Sequence, residues 1–258
     1  MQPFISIIIP CRNEERFIRK CLESILNQDY PKEKMEVLVI DGMSDDKTRE
    51  IIEKFKTQNS KLKIQLIDNP QKFVPFALNK GIKESKGKII IRCDAHAEYS
   101  SNYVKKLTYW LEKDKNIGSV GGVWINRPSN NSAKVKAIAF TLKHPFCVGP
   151  NKYRIGAKKV EEVDTVPFGA WRREIFEKIG LFNEKFLRGE DLELNMRIKK
   201  AGYKIILDPE VKIYYYPREN FSKLFKMMFQ YGYWKNYINK ELKLLSSLRQ
   251  LVPPLFVL

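Results

Sequence analysis

Short apolar runs alternate with segments of helical periodicity along the first hundred residues. The runs FISIIIP, EVLVID, KIQLID and GKIIIRCD are short and rich in β-branched residues, which is typical of strands buried on both faces. Between them apolar residues recur every three or four positions, as from Glu14 to Asn27 and from Phe73 to Lys86. The alternation predicts βαβ units, and therefore an α/β fold with a mostly parallel central sheet flanked by helices.

The regular alternation of strand-like and helix-like segments ends after the apolar run VGGVWI. Residues 127–163 are rich in loop-forming residues and contain one predicted helix, from Ala133 to Leu142. A strand and two helices are predicted over residues 164–202. No clean linker interrupts this order, so we predict one domain over residues 1–216, followed by a basic helical region over residues 217–258.

The chain is strongly basic. Its 258 residues include 47 Lys or Arg and 30 Asp or Glu, a formal net charge of +17. This balance predicts an anionic partner, which could be nucleic acid, a nucleotide phosphate or an acidic membrane surface. No signal peptide begins the chain, and no apolar run reaches the roughly 18 residues that a membrane-spanning helix needs. We therefore expect a cytoplasmic protein.

Charged side chains follow the predicted strands at the points where these strands end. They are Glu14 after the first strand, Asp41 at the second, Asp68 at the third, and Asp94 with His96 at the fourth. In an open α/β sheet, ligands bind beyond the carboxyl ends of the parallel strands. Acidic residues are also common helix caps, so a single strand end does not choose between a ligand site and a cap.

Asp94 and His96 differ from the other strand-end residues in their chemistry. In an extended chain, residues two apart project from the same face, so a carboxylate and an imidazole could approach one divalent cation. Oxygen ligands favour Mg²⁺, and an imidazole moves the preference toward Mn²⁺. The chain contains neither GxGxxG after its first strand nor GxxxxGK[ST], which argues against a dinucleotide-binding domain and a P-loop NTPase.

Two later segments also carry candidate functional groups. Glu190 and Asp191 open a predicted helix, where they could supply a general base or simply be favoured by the helix dipole. In FGAWRREIF, Trp171 and Arg172 could contact a sugar ring or a phosphate, or could pack against the protein's own surface. Both pairs of interpretations stay open at this point.

Taken together, four segments resemble the family 2 glycosyltransferases, which have the GT-A fold, over about residues 4–235. The segments, in the family's order and spacing, are SIIIPCRNEERFIRKCLESILNQDYP, EVLVIDGMSDDKTREII, ALNKGIKESKGKIIIRCDAHA and GEDLELNMRIKKAGYKI. The Asp-Ala-His form and VPFGAWRREIF look most like the succinoglycan-biosynthesis-type branch, which builds bacterial or archaeal surface polysaccharides.

The resemblance implies inverting transfer of a sugar from a nucleotide diphosphate sugar, most commonly a UDP-sugar, to a hydroxyl of a saccharide or lipid-linked acceptor. It implies a cation, Mn²⁺ or Mg²⁺, held by Asp94 and His96. Nucleotide contacts are implied for Pro10, Arg12, Glu14, Asp41, Asn79, Lys80 and Asp94.

The same resemblance implies that Asp191 is the catalytic base, supported by Glu190. Gln230 and Trp234 correspond to the family's Gln-x-x-Arg-Trp segment, and we expect them near the acceptor and donor, together with Trp171 and Arg172.

Three positions depart from the family pattern. Gly42 follows Asp41 where a second acid is usual, His96 replaces the second metal-binding aspartate, and Tyr233 replaces the arginine of Gln-x-x-Arg-Trp. These changes leave base recognition and processive synthesis open. Since a neutral imidazole removes one negative charge, we expect the metal to bind more weakly and to be more Lewis acidic.

Two other function classes are alternatives to a glycosyltransferase. A metal-dependent nucleotidyltransferase would need a Gly-rich phosphate loop, and PCRNEER contains no glycine. A non-enzymatic binder of membranes or nucleic acid is motivated only by the charge.

The C-terminal region adds a membrane hypothesis. Residues 217–258 carry seven Lys or Arg against two Glu, a net charge of +5, and an apolar stripe of Phe221, Leu224, Phe225 and Met228. These features suit a helix on an anionic membrane surface, or a helix that covers the sheet. We expect a glycosyltransferase at the inner face of the cell membrane, without a nucleic-acid partner.

Overall fold

A computed structural model describes residues 2–149 and 151–243. Its strands are β1 (Ile5–Cys11), β2 (Met35–Asp41), β3 (Lys63–Asp68), β4 (Ile89–Arg92), β5 (Ala97–Tyr99), β6 (Ile117–Asn126), β7 (Glu161–Glu162), β8 (Ala170–Arg172) and β9 (Lys204–Tyr215). Its helices are α1 (Ile18–Leu26), α2 (Thr48–Gln58), α3 (Val74–Glu84), α4 (Tyr103–Lys113), α5 (Ala133–Thr141), α6 (Pro145–Val148), α7 (Lys152–Ile155), α8 (Arg173–Ile179), α9 (Glu190–Lys200) and α10 (Phe221–Leu242), with a 3₁₀ turn at Lys32–Lys34.

The strands form one mixed sheet in the order β3-β2-β1-β4-β8-β6-β9-β5, with β7 beside β9. The pairs β1–β2, β2–β3, β1–β4 and β6–β9 are parallel, which confirms the predicted α/β architecture with a mostly parallel sheet. Strand β8 enters between β4 and β6 and runs antiparallel to both. A three-residue strand is too short to show a hydrophobic period, so its insertion was not visible in the sequence.

Alternation along β1 divides the core between the two faces of the sheet. Ile7 and Ile9 are buried on the face that packs against α1 and α4, and Ile8 is buried on the face that packs against α3. Gly81 of α3 lies so close to Ile8 that an added Cβ would be 2.5 Å from the Ile8 Cγ2 atom. This close approach fixes α3 against the sheet below the carboxyl end of β3.

Helix α10 follows β9 and packs near the start of α9. The rings of Phe186 and Tyr237 are 5.7 Å apart, and the fully buried Ile238 lies against Gly189. The predicted boundary between residues 216 and 217 falls in the β9–α10 connection, and the predicted C-terminal region from residue 244 onward lies outside the described residues. None of the helices in the described part of the chain is both long and apolar enough to cross a membrane.

Candidate active site

The carboxyl ends of the parallel strands meet at one edge of the sheet. Cys11 at the end of β1 lies beside Asp41 at the end of β2, which in turn lies beside Asp68 at the end of β3. Arg49 of α2 donates to the carboxylates of Asp41 and Asp68 over 2.6 and 2.8 Å, respectively. This edge therefore carries alternating acidic and basic groups.

Asp41 does not expose its carboxylate at this edge. The residue is 0% exposed, and both of its carboxylate oxygens accept hydrogen bonds from Ser44 or Arg49. Protein donors thus occupy both carboxylate oxygens in this arrangement, and the expected contact between Asp41 and the nucleotide base stays a prediction. Arg49, which sequence reasoning missed, is the partly exposed side chain that Asp41 holds in place.

The other predicted nucleotide-binding residues divide into two groups. Pro10 and Arg12 lie at the carboxyl end of β1, and Lys80 of α3 donates to the Asp68 carbonyl over 2.8 Å. Asn79 instead faces the protein interior, where its Nδ2 donates to the Phe182 carbonyl and its Oδ1 accepts the Phe182 N–H, both over 2.9 Å. The buried amide of Asn79 anchors the segment before α9, and its expected nucleotide contact stays a prediction.

Asp94 and His96 lie in a turn rather than in an extended strand. Strand β4 ends at Arg92, and the Ala97 N–H donates to the Asp94 carbonyl over 3.3 Å as the chain turns toward β5. The Tyr99 hydroxyl is 2.6 Å from the Asp94 nitrogen and accepts its N–H. The extended-chain argument for these two side chains is therefore wrong, and their positions are set by the turn and by their separate partners.

The partner of His96 is Glu14, from the loop after β1. The His96 Nδ1 atom is 3.0 Å from Glu14 Oε1, and the imidazole lies edge-on to the Tyr215 ring at 5.2 Å. Because an ionised carboxylate can only accept, Nδ1 carries the proton, and Nε2 is the nitrogen left to bind a metal in the neutral ring. A carboxylate behind a histidine is the usual support for a metal-binding imidazole.

A buried arginine joins the two acidic parts of the site. Arg92 is 4% exposed; its Nε donates to Asp94 over 3.0 Å, and its Nη1 donates to Glu190 over 2.9 Å and to the Asp191 carboxylate. Its guanidinium also lies 5.5 Å from the centre of the Phe168 ring. Sequence reasoning missed Arg92, although a charge inside the run IIIRCD was itself a signal, since buried charges need partners.

Asp191 lies at the N-terminus of α9, directly after Glu190 and the left-handed Gly189. Burial raises the pKa of Asp191 to about 8, with the neighbouring carboxylates of Glu190 and Asp94 acting in the same direction and Arg92 opposing them. The side chain is still 27% exposed, so a substrate can reach it. A carboxylate with a pKa near neutral is suited to accept a proton.

Comparison with known proteins identifies the family. The family model described as Glycosyl transferase family 2 matches residues 6–180, which include both Asp94 and His96. The chain belongs to the family 2 glycosyltransferases. It is therefore a sugar-transferring enzyme.

Two relatives support the surface-polysaccharide branch of the family. The first is the dolichyl N-acetyl-α-D-glucosaminyl phosphate 3-β-D-2,3-diacetamido-2,3-dideoxy-β-D-glucuronosyltransferase of Methanococcus voltae, which is 34% identical over 89% of this chain and 72% of its own length. The second is the succinoglycan biosynthesis protein ExoA of Rhizobium meliloti, which is 30% identical over 96% of this chain and 73% of its own length. The predicted succinoglycan-type resemblance is confirmed.

Two solved structures share the fold. A Pyrobaculum calidifontis mannosyltransferase in complex with GDP-Man and Mn²⁺ has a TM-score of 0.68 at 22% identity, over 90% of this chain and 61% of that one. Staphylococcus aureus TarS in complex with UDP-GlcNAc has a TM-score of 0.64 at 19% identity, over 84% of this chain and 59% of that one. The GT-A fold is confirmed, and this chain spans about three fifths of those two chains.

Two residues expected near the acceptor and donor of the glycosyltransferase, Trp171 and Arg172, are buried in the protein. Trp171 is buried and packs edge-on against Phe176 and Phe182 at 5.6 and 5.8 Å. Arg172 lies beside Ile89 at the amino end of β4 and donates to two backbone carbonyls over 2.8 and 2.7 Å. Because β8 runs antiparallel to β4, Arg172 lies at the end of β4 that is farther from Asp94. The expected places of Trp171 and Arg172 near the acceptor and donor stay predictions.

The remaining predicted residues of the glycosyltransferase, Gln230 and Trp234, lie on α10. Trp234 makes edge-on ring contacts with Tyr233 and Tyr237 of the same helix, at 5.7 and 5.8 Å. Among the described residues, no hydrogen bond or ring contact joins Gln230 or Trp234 to Asp94, His96 or Asp191. Their role near the substrates stays a prediction.

Proposed function

We propose that this glycosyltransferase uses a divalent cation and a nucleotide diphosphate sugar to glycosylate a hydroxyl of a lipid-linked or growing surface saccharide, with inversion. The observation that supports this most is the bridge from Asp94 through Arg92 to Asp191. Because both carboxylates bond to the Arg92 guanidinium, the candidate metal ligand Asp94 and the candidate base Asp191 belong to one site.

In the proposed reaction, the acceptor oxygen attacks the anomeric carbon from the face opposite the diphosphate. The bond from that carbon to the diphosphate oxygen breaks, and the hydroxyl proton passes to the Asp191 carboxylate. The transition state resembles an oxocarbenium ion, as in glycoside hydrolysis. A positioned base contributes about 10²- to 10⁴-fold to such a step.

The residues at the end of β4 fit a divalent cation. Asp94 would supply a carboxylate oxygen and His96 the nitrogen that Glu14 leaves free, a mixed set that suits Mn²⁺ and admits Mg²⁺. No group of three or more His, Cys, Asp or Glu within residues 2–149 and 151–243 is arranged to hold a metal. We propose that oxygens of the donor diphosphate would serve as further ligands, as is usual for Mg²⁺ sites. When bound, the cation would neutralise charge on the leaving diphosphate.

Two solved relatives support the cation, because the mannosyltransferase and a GalNAc-T7 structure both contain Mn²⁺. The relative from Methanococcus voltae is named for transfer to a dolichyl-linked glucosaminyl phosphate, which favours a lipid-linked acceptor here. TarS in its complex binds UDP-GlcNAc, and we propose a UDP-sugar as the donor class.

We further propose that α10 lies on an anionic membrane surface, at the inner face of the cell membrane. Five aromatic residues at four-residue intervals, Phe221, Phe225, Phe229, Tyr233 and Tyr237, are 59, 73, 66, 61 and 42% exposed. Phe221 and Phe225 belong to the stripe that could have covered the sheet, and their exposure favours the membrane alternative. Exposed Lys223, Lys226 and Lys240 on the same helix add attraction to anionic lipid.

The proposed activity is tested by incubating the protein with a panel of nucleotide sugars, Mn²⁺ or Mg²⁺ and a saccharide-lipid acceptor, and measuring released nucleoside diphosphate. Asp94→Ala and Asp191→Asn should both abolish turnover, and nucleotide binding should survive Asp191→Asn better than Asp94→Ala. Release of inorganic pyrophosphate would favour a nucleotidyltransferase. Activity that persists in both variants would contradict the assigned roles.

A further inference from the structure

Arg154 of α7 is a buried arginine without an acidic partner among the described residues. It is 8% exposed; its Nε donates to the Tyr153 hydroxyl over 3.3 Å, and its guanidinium carbon lies 4.5 Å from the centre of a Trp124 ring. No hydrogen bond or ion pair of its two terminal nitrogens is formed within the part of the chain that the structure describes. A buried guanidinium lacking a countercharge costs folding free energy, which a bound anion would offset.

Two other arginines are buried in the described part of the chain, and both have their guanidinium donors matched by acceptors. Arg92 donates to three carboxylates, and Arg172 donates to Glu174 and to two backbone carbonyls. Arg154 has only neutral neighbours by comparison. The guanidinium of Arg154 stacks on aromatic rings, and its two terminal nitrogens are left available to a ligand.

The position of Arg154 connects it to the active site through aromatic rings. Trp124 stacks on Tyr215 with ring centres 4.3 Å apart, and Tyr215 contacts His96 at 5.2 Å. Trp124 also contacts Phe168, the ring that lies beside the Arg92 guanidinium. These contacts connect Arg154 to the candidate metal ligand His96, and through Phe168 to Arg92, which holds the candidate base Asp191.

A second donor in this cluster also lacks a partner. The indole Nε1 of Trp124 is buried and has no hydrogen-bond acceptor among the described residues. On the other side, Arg154 is within electrostatic reach of Tyr231 on α10. Arg154 thus lies between the active-site rings and the helix that we place on the membrane, where a lipid-linked substrate would enter.

We propose that Arg154 binds a phosphate oxyanion of the lipid-linked acceptor. A guanidinium presents two parallel N–H donors, which match a phosphate better than a lysine does. The inference rests on the proposed acceptor class. A guanidinium could also bind a carboxylate on the donor sugar. The location of Arg154 next to α10 favours the acceptor phosphate instead.

The test measures binding of octyl phosphate to the full chain by titration calorimetry, without donor or metal, with octyl glucoside as the uncharged control ligand. Arg154→Gln should weaken octyl phosphate binding about tenfold or more, the usual size of a charge-assisted contact. Lys152→Gln removes the same charge from an exposed position on the same helix and should leave binding close to wild type. Arg154→Lys should give an intermediate affinity, because it keeps the charge and loses the planar fork.

Fluorescence provides a readout that does not depend on the Arg154 variants folding. Octyl phosphate should change the tryptophan emission of the wild-type chain, and Trp124→Phe should remove that change. Wild-type affinity in an Arg154→Gln variant that still binds UDP with Mn²⁺ would overturn the proposal. So would an effect of Arg154→Gln confined to donors with a carboxylate-bearing sugar. Failure of the glycosyltransferase proposal would appear separately, as absent turnover with octyl phosphate binding intact.

Discussion

Arg92 is the residue on which the geometry of the candidate site depends most. One guanidinium holds Asp94 of the β4–β5 turn and the two acids that begin α9, although these carboxylates lie nearly one hundred residues apart in the chain. Without it, three carboxylates would face one another in a partly buried site, and their repulsion would separate the metal ligand from the base.

Replacing Arg92 by Gln should therefore lower both stability and activity. Breaking a buried ion pair costs about 3–5 kcal/mol, and a displaced catalytic group can lose about 10²-fold in rate. Thermal unfolding and kcat/KM measure the two effects. Arg172→Gln is the matched control, because it removes another buried arginine far from Asp94 and should lower the melting temperature while kcat/KM stays near wild type. Equal loss of kcat/KM in both variants would argue against a specific role for Arg92.

The raised pKa of Asp191 predicts a pH dependence. Only the ionised carboxylate can accept the acceptor's proton, so kcat/KM should rise with pH and level off above about 8. Below that pH it should fall about tenfold per unit, as for a single essential base. A pH profile of kcat/KM from 6 to 9.5 checks this, with UDP binding measured at each pH as the control. A flat profile would exclude Asp191 as the base with this pKa.

At the scale of elements, the start of α9 is held by α10. Gly189 has φ of +79°, and an added Cβ would lie 2.7 Å from the Cδ1 atom of Ile238 on α10. Glycine is required here both by the left-handed backbone and by the close approach of the second helix. The position of Glu190 and Asp191 therefore depends on how α10 docks.

Gly189→Ala should destabilise the fold by roughly 1–2 kcal/mol, the cost of a left-handed alanine, and should also lower kcat because the next two residues shift. Gly202→Ala offers a control with the same kind of backbone strain, since φ is +84° and no atom lies within 4 Å of the added Cβ. Its melting temperature should fall less, because only the backbone strain applies, and kcat should be preserved. Comparable kcat values for the two variants would contradict the proposed coupling of α10 to the site.

At the scale of the whole molecule, charge and exposed aromatic surface occur together on α10. The chain carries +17 overall, and the aromatic row of α10 stays exposed although the helix packs against the loop before α9. An amphipathic helix of this kind binds lipid interfaces through buried rings and basic side chains.

The full chain should therefore co-sediment with vesicles containing anionic lipid and much less with neutral vesicles. Replacing Phe225 and Phe229 by Ser should reduce the partition coefficient about tenfold or more, since two large rings no longer enter the interface. Tyr109→Ser changes an aromatic residue on α4 that is 52% exposed, and it serves as the control. Binding that is unaffected by the double replacement would count against α10 as the membrane contact.

The structure also shows which contacts of the candidate site residues the sequence did not indicate. The end of β4 was predicted as a metal site from Asp94 and His96, and the structure adds the partner of each residue, Arg92 and Glu14. For Trp171 and Asn79, chemical character alone did not indicate which way the side chain points. The antiparallel β8 buries Trp171 in the core, and the segment before α9 occupies both ends of the Asn79 amide.

The sequence by itself determined the alternation of strands and helices and the edge at which the first strands end. Those features follow from local periodicity and from the handedness of parallel connections, which need no distant partner. The tertiary structure decided which distant groups meet: Glu14 with His96, Arg92 with Asp191, and Arg154 with no acid at all among the described residues. Such pairings depend on how the sheet, the loop-rich segment of residues 127–163 and α10 pack together. No short window of residues contains that information.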